Sequence, residues 1–381
     1  MSQRIVILGG GTGGTLVANL LAKRLSASQA NITVVSDSTQ HLYQPGWLYV
    51  PFGWQAAEAL SRDERRLLNP QVTLLHAPVT GLDLEGRVVK LEGGQTLPYD
   101  SLVIATGSRP TPEDVEGLQE AGHHFYTEAA ALALKAALES FKGGRIVVGV
   151  GGLPHKCPVA PLEFTFLLDD YLRRKGLRDA TSITYTYPIN RPFTIESVSK
   201  TVVPLLAAKN IAVETFFNLE SVNVATKTAI SMEGTELPFD LLVMIPPHRG
   251  AAFLEGLPFS DPQGWVATDR SSLAVKGQEG VYALGDATDI PISKAGSTAH
   301  YQAPVVVEHI VARVEGRAPN PKHAVYDGKV ICFLESGHDR ASILSFNYAH
   351  PPVMPAPNAF HHYGKMAFNR AYWYLVPTGL I

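Results

Sequence analysis

Cysteine is scarce in this chain, with two in 381 residues, at positions 157 and 332. Two thiols exclude a disulfide scaffold and a four-thiolate zinc site, but they allow one pair. Charge is thin as well, at 18% Asp, Glu, Lys and Arg against a usual ~25%. The 32 Lys and Arg against 35 Asp and Glu leave a net charge of −3, so no electrostatic footprint for nucleic acid exists. No run of about 18 apolar residues occurs, and no spanning helix is expected. Nor is a targeting peptide: the glycines from Gly9 to Gly14 interrupt the first apolar stretch, and a small-residue cleavage pattern is missing. Apolar side chains are plentiful. At 45% they rule out intrinsic disorder and suffice for two or three domain cores.

The chain repeats itself. Arg4-Ile5-Val6-Ile7 returns as Arg145-Ile146-Val147-Val148, an offset of 141. Leu97-Pro98-Tyr99-Asp100-Ser101-Leu102-Val103 returns as Leu237-Pro238-Phe239-Asp240-Leu241-Leu242-Val243, an offset of 140. A duplicated unit explains both. In the first copy an apolar strand, a glycine turn, a helix over about Gly13–Leu25 and a strand Ile32–Ser36 read as a strand–helix–strand unit with parallel pairing. Short alternating strands, Val72–Leu84 and Val88–Leu91, then predict an antiparallel meander before a return strand Leu102–Ala105. A strand Val281–Leu284 and a long helix Ala295–Val314 follow, and the proline- and aromatic-rich stretch after Pro319 reads as a further region.

Gly9, Gly11 and Gly14 keep the Gly-x-Gly-x-x-Gly spacing directly after a strand and at the opening of a helix. That context lets the backbone approach a pyrophosphate closely, with helix N–H groups aimed at it. Ser36 and Asp37 end the next strand, where an acceptor for ribose hydroxyls belongs. In the second copy Pro154 or His155 stands in place of Gly14, and its second strand ends at Pro188 rather than at an acid. That copy is expected to keep the fold and to have lost nicotinamide dinucleotide binding. Its turn carries Lys156-Cys157-Pro158-Val159-Ala160-Pro161-Leu162-Glu163 instead. Cys157 sits where a helix is about to start, which would lower a thiol's pKa, and Glu163 lies near as an acid/base group. A buried Cys packing as a small hydrophobe is the bland alternative. For Cys157 with Cys332, a redox-active pair is favoured over a structural bridge. The doublets His123-His124 and His361-His362 read as solvated loop histidines, and no metal site is expected.

The glycine-rich start, Leu102-Val103-Ile104-Ala105-Thr106-Gly107 and Tyr282-Ala283-Leu284-Gly285-Asp286-Ala287 resemble the two-dinucleotide-domain flavoprotein disulfide reductase superfamily. Gln44-Pro45-Gly46-Trp47-Leu48-Tyr49-Val50-Pro51, the Cys157 segment and Lys329-Val330-Ile331-Cys332-Phe333-Leu334-Glu335 narrow the match. Together they resemble sulfide:quinone oxidoreductases and the flavoprotein subunit of flavocytochrome c sulfide dehydrogenase, from about residue 3 to 370. The resemblance implies an α/β fold of two tandem Rossmann-like dinucleotide-binding domains and a C-terminal region. The expected division is 1–110 with 241–318 for FAD, 111–240 for the degenerate unit carrying Cys157, and 319–381 as a quinone, membrane or dimer-contact region.

The resemblance also implies FAD held by Gly9, Gly11, Thr12, Gly13, Gly14, Ser36, Asp37, Gln44, Pro45, Val79, Ala105, Thr106, Gly107, Gly285, Asp286, Lys294 and Gly296. Covalent thioether attachment is excluded, because no cysteine precedes residue 157. Tyr126 holds the place where many members of the family carry a third cysteine. Cys157, Cys332 and Glu163 are implied as the reacting groups, sulfide or a related sulfur species as donor, and quinone as acceptor near Phe333, Tyr363 and Lys365. A peripheral enzyme on the inner face of the cell membrane, with homo-oligomerisation open, is the resulting expectation. The rivals are an NADH:quinone oxidoreductase, a cytochrome c-linked sulfide dehydrogenase, and a redox-inactive FAD-binding partner.

Overall fold

The computed structural model describes residues 2–380. Two five-stranded parallel sheets carry the chain, and they are built in the same order. In the first, Val281–Ala283, Ser101–Ile104, Gln3–Leu8, Ala30–Ser36 and Thr73–His76 lie side by side. In the second the sequence is Gly122–His123, Leu241–Ile245, Gly144–Val150, Thr181–Tyr187 and Ala212–Thr215. The central strands read as continuous apolar runs because both faces are covered: Ile5 and Ile7 pack on helices, Val6 and Leu8 on the meander residues Leu82, Val89 and Leu91. Before each return strand stands a three-stranded antiparallel meander, Val79–Asp83, Val88–Leu91 and Thr96–Pro98, then Leu219–Asn223, Thr228–Ser231 and Glu236–Pro238.

The repeat extends to an ion pair. The Arg4 backbone N–H donates to Asp100 Oδ2 at 2.7 Å while its guanidinium grips the same carboxylate. Arg145 and Asp240 do the same, again with 2.7 Å from the backbone N–H. Each pair ties the first strand of a unit to the turn before its return strand.

The helix Thr12–Arg24 packs against the long helix Gly296–Glu315, with Leu16, Val17 and Leu21 in one core with Ala303, Val306 and Ile310. A C-terminal region is present: the hairpin Val330–Gly337/Arg340–Phe346, then the helix Ala359–Leu375, capped by the Asn358 side chain. It has no core of its own. Leu334, Leu344, Tyr372 and Trp373 join the cluster formed by the second unit and by Tyr43, Trp47 and Phe52. Among the described residues no helix is long and apolar enough to cross a membrane, and no three His, Cys, Asp or Glu side chains are grouped to hold a metal.

Candidate active site

The first glycine turn is built for a close approach. Gly9 has φ +109°, and a Cβ there would lie 2.4 Å from the Ala105 carbonyl oxygen. A Cβ at Gly14 would sit 1.9 Å from the Gly9 carbonyl, so the strand, the turn and the helix can only meet without side chains. Gly11 differs: nothing lies within 4 Å of its Cβ position, which leaves the helix N-terminus open to a ligand. Gly13 packs on Leu284 and Ala299. Ser36 is buried at the end of its strand and Asp37 beside it is exposed. The hydroxyls of Thr106 and Ser108 are buried with no hydrogen-bond partner in the chain.

Other expected cofactor residues converge from distant segments. Gly107 turns the chain at φ +68°, Gly285 at φ +67° with its N–H on Gln302, and Gly296 opens the long helix. Burial raises the Asp286 carboxyl pKa, against the pull of Lys156 and Lys294. Lys294 Nζ donates to the carbonyls of Thr288 at 2.6 Å and Asp286 at 3.1 Å, 4.0 Å from the Trp265 ring centroid. Burial lowers its pKa to about 8. Gln44 accepts from Lys156 Nζ at 2.9 Å, and Pro45 follows it in the short helix Gln44–Phe52. Val79 packs on the core of the first unit. An open glycine face, unpartnered buried hydroxyls and a half-buried aspartate fit the ribityl, pyrophosphate and ribose groups of FAD.

The second turn has another use. A Cβ at Gly149 would lie 1.8 Å from Thr186 Oγ1, so this glycine serves strand packing, and the helix starts only at Ala160. The freed loop reaches across to the first unit, where the Cys157 N–H donates to the Lys294 carbonyl at 2.6 Å. Cys157 holds φ +50°, a left-handed conformation that costs on the order of 1–3 kcal/mol for a residue with a side chain. Tyr126 donates its hydroxyl to the Cys157 carbonyl at 3.4 Å, and its ring stands edge-on to the buried His248. Cys332, on the C-terminal hairpin, packs on the same apolar cluster as Cys157, and both are free thiols.

The expected lowering of the Cys157 pKa is corrected. Burial pushes the thiol up, and the nearby Glu163 and Cys332 add to the effect, outweighing the helix start. Burial and Glu163 likewise bring Cys332 to about 11, against the pull of the nearby Ser293 and Ser297 hydroxyls and of Lys365. As free thiols, both cysteines are therefore disfavoured as thiolates and call for a base.

Glu163 is the adjoining carboxylate. It is buried in the first turn of the helix Ala160–Arg174, ion-paired with Lys365, and takes the Glu335 N–H on Oε1 at 2.8 Å. Burial raises its pKa, against the pull of Lys365. Burial also works against the Lys365 ammonium, but Glu163, Tyr49 and Glu335 outweigh it and raise that pKa. Lys365 was expected at the quinone with Phe333 and Tyr363. The structure turns it inward onto Glu163, whereas Tyr363 on the same helix is 62% exposed and Phe333 is half-buried. Nor are His361 and His362 loop residues: both are on the C-terminal helix, and His362 Nδ1 lies 3.0 Å from Glu335 Oε2.

One buried network gives no sequence signal. Glu64 takes Thr15 Oγ1 at 2.6 Å and His41 Nδ1 at 2.9 Å; His41 Nε2 meets the Tyr372 hydroxyl at 2.8 Å, which meets Thr12 Oγ1 at 2.7 Å. Thr12 is thus held by the C-terminal helix.

A family profile described as pyridine nucleotide-disulphide oxidoreductase matches residues 3–304. The chain belongs to that family. Within this oxidoreductase family it is similar to the mitochondrial sulfide:quinone oxidoreductases of Mus musculus, 25% identical over 93% of this chain and 80% of the relative, and of Dictyostelium discoideum, 26% identical over 97% and 85%. The solved sulfide:quinone oxidoreductase of Aquifex aeolicus has the same fold, with a TM-score of 0.85 at 22% identity, covering 99% of this chain and 92% of that one.

Proposed function

We propose that this chain oxidises sulfide to sulfur or polysulfide and passes the two electrons through FAD to a quinone. The observation that carries the reading is the meeting of two half-buried thiols with the Glu163–Lys365 pair, where Cys157 is bonded to the Lys294 segment. FAD, held without a covalent bond by the Gly9–Gly14 turn, Ser36, Asp37, Thr106 and Asp286, supplies two-electron acceptance from sulfur and delivery to quinone. The chain's own residues do the rest.

In the oxidised protein Cys157 and Cys332 form one disulfide. Hydrosulfide attacks one of its sulfurs, the cysteine–cysteine bond breaks, and a persulfide and a thiolate remain. Glu163, its pKa raised by burial, takes the proton that the incoming sulfur or persulfide must lose. Lys365 balances the charge that this base carries. The Tyr126 side chain occupies one side of the Cys157 loop, so the sulfur cycle runs on two cysteines.

Quinone arrives from a membrane surface, and we assign the contact to the outer face of the C-terminal helix. Phe360, Tyr363 and Tyr374 there are 82%, 62% and 73% exposed, a row that suits a bilayer interface. The enzyme is then peripheral, and flotation with liposomes checks it. Anaerobic mixing with sulfide tests the activity: the visible flavin absorbance should bleach and return on addition of a soluble quinone. Bleaching by NADH but not by sulfide overturns the reading.

A further inference from the structure

Oxidation of one H2S to sulfur releases two protons along with the two electrons, and the groups that receive them are closed in. Glu163, Glu335 and Lys365 are all buried. A cavity of about 500 Å³ reaches Glu335 from solvent: it is lined by Tyr49, Glu335, Asp339 and His362, together with Arg62 and Trp373.

Between Glu163 and that cavity polar groups follow one another closely, joined by hydrogen bonds and by one contact of charge with ring. Lys365 Nζ is bonded to Glu163 and lies 5.5 Å from the Tyr49 ring centroid, near enough for its charge to act on the phenol. The Tyr49 hydroxyl donates to Glu335 Oε1 at 3.3 Å. The Glu335 carboxylate holds His362 Nδ1 at 3.0 and 3.2 Å, and His362 Nε2 faces Asp339 at 3.8 Å across the cavity wall. Asp339 is 60% exposed at its side chain. Tyr49 comes from the short helix after the glycine turn, Glu335 from the C-terminal hairpin and His362 from the C-terminal helix. Three separate elements thus place hydrogen-bonding groups in one line.

We propose that Tyr49, Glu335 and His362 are a proton relay that drains the sulfur site into this cavity. The inference rests on the reading of Glu163 as the base toward sulfur. For each proton entering at Glu163, one passes from Lys365 to Tyr49, one from Tyr49 to Glu335, and one leaves through His362 to water; Glu163 recharges Lys365. Charge on the wire is unchanged, and no electrons move along it.

His362→Ala is the test, with His361→Ala as its control; His361 is the next residue on the same helix and is turned to Asn358. The flavin-loaded proteins are mixed with sulfide without oxygen, in weak buffer with a pH indicator. Proton release and bleaching should slow by roughly 10-fold or more in His362→Ala and stay at the parent rate in His361→Ala. Millimolar imidazole should restore the rate. His362→Gln keeps a hydrogen bond to Glu335 but carries no proton, so it should remain slow. Parent-like kinetics in His362→Ala, or rescue by Gln and not by imidazole, overturns the relay in favour of a packing role. A second measurement uses no sulfide and no turnover: after an alkaline pH jump of the holoprotein whose Cys157–Cys332 disulfide has first been opened with a phosphine reductant, the rise of thiolate ultraviolet absorbance should lag in His362→Ala. Equal rise times overturn the relay. If sulfide leaves the parent unbleached, the sulfide reading fails by itself, and the pH jump still decides the relay.

Discussion

The two units of the duplicated chain share a strand order, a meander and an arginine–aspartate pair, and they use the loop after the first strand for opposite purposes. In the first unit the helix begins at once, Gly9 and Gly14 let backbone meet backbone, and Gly11 faces open space. In the second the helix is delayed to Ala160, and the intervening residues carry Cys157 over to the Lys294 segment of the first unit. The duplicated fold thus supplies one nucleotide turn and one nucleophile loop. The lesson is that losing a binding turn can leave a rigid strand end from which a reactive group is aimed.

The contrast can be broken at its strongest point first. Cys157→Ser should lower the rate of sulfide-driven bleaching by about 10³-fold or more while the flavin stays bound, because the nucleophile alone is removed. Stopped-flow absorbance reads this, and a parent-like rate would take the chemistry out of the second loop. Gly11→Ala, on the opposite side of the comparison, adds a methyl where the chain leaves room, so the fold should survive. The approach of the pyrophosphate should suffer, and flavin affinity fall by roughly 10- to 100-fold, about 1.4 kcal/mol for each factor of ten. Equilibrium dialysis of the flavin checks it.

A smaller effect is expected from Tyr372→Phe. It strips His41 Nε2 and Thr12 Oγ1 of a buried partner, which costs about 1–3 kcal/mol in denaturant unfolding and should speed flavin release. The smallest separates the two repeated ion pairs. The Arg4 hydrogen bond holds the Asp100 carboxyl down at about 2, so its stabilisation is present above the ordinary aspartate pKa of about 3.9 and is lost as pH falls toward 2. Asp100→Asn should therefore cost about 1 kcal/mol at neutral pH after allowance for solvent screening, and nothing below pH about 2. Asp240, lowered by Arg145 but 43% exposed against 31% for Asp100, should show less of the same dependence. Urea unfolding of both variants across the acid range measures the difference.

Local and periodic features were legible in the sequence. The duplication, the glycine turn and the cysteine segment all depend on residues within one strand–turn–helix unit or on a fixed offset. The meander was legible only in part: Thr73–His76 leaves the Val72–Leu84 stretch to pair in parallel with Ala30–Ser36, and Thr96–Pro98 supplies the third antiparallel strand. The nearness of Glu163 to Cys157 was legible because it lies on the first turn of the helix that follows. Its counter-ion was not: Lys365 is 202 positions away, and an aromatic helix pattern drew it to a quinone site instead. His362 gave no signal because its partner, Glu335, comes from a hairpin strand, and adjacent histidines on a helix point different ways. The thiol pKa was misread for a related reason. A helix start is visible in sequence, but the burial that overrides it is created by Tyr43, Tyr126 and the C-terminal hairpin closing from elsewhere. Thr12 was seen only as part of a glycine turn, whereas its hydroxyl is taken by Tyr372, 360 positions on.

Lys365 and Tyr372 are seven residues apart on one helix, two turns or about 10.5 Å along its axis. The first grips the sulfur side of the molecule and the second the dinucleotide side. The helix pitch therefore works as a ruler between the two. One residue inserted between these positions would rotate the pair by about 100° and lengthen the helix by about 1.5 Å, so that only one of the two grips could be kept. Seven inserted residues would restore the facing but lengthen the span by another two turns. The distance between the two chemistries is thus set in whole helix turns, and the segment from 365 to 372 should accept substitutions on its outer face far more readily than any change in length.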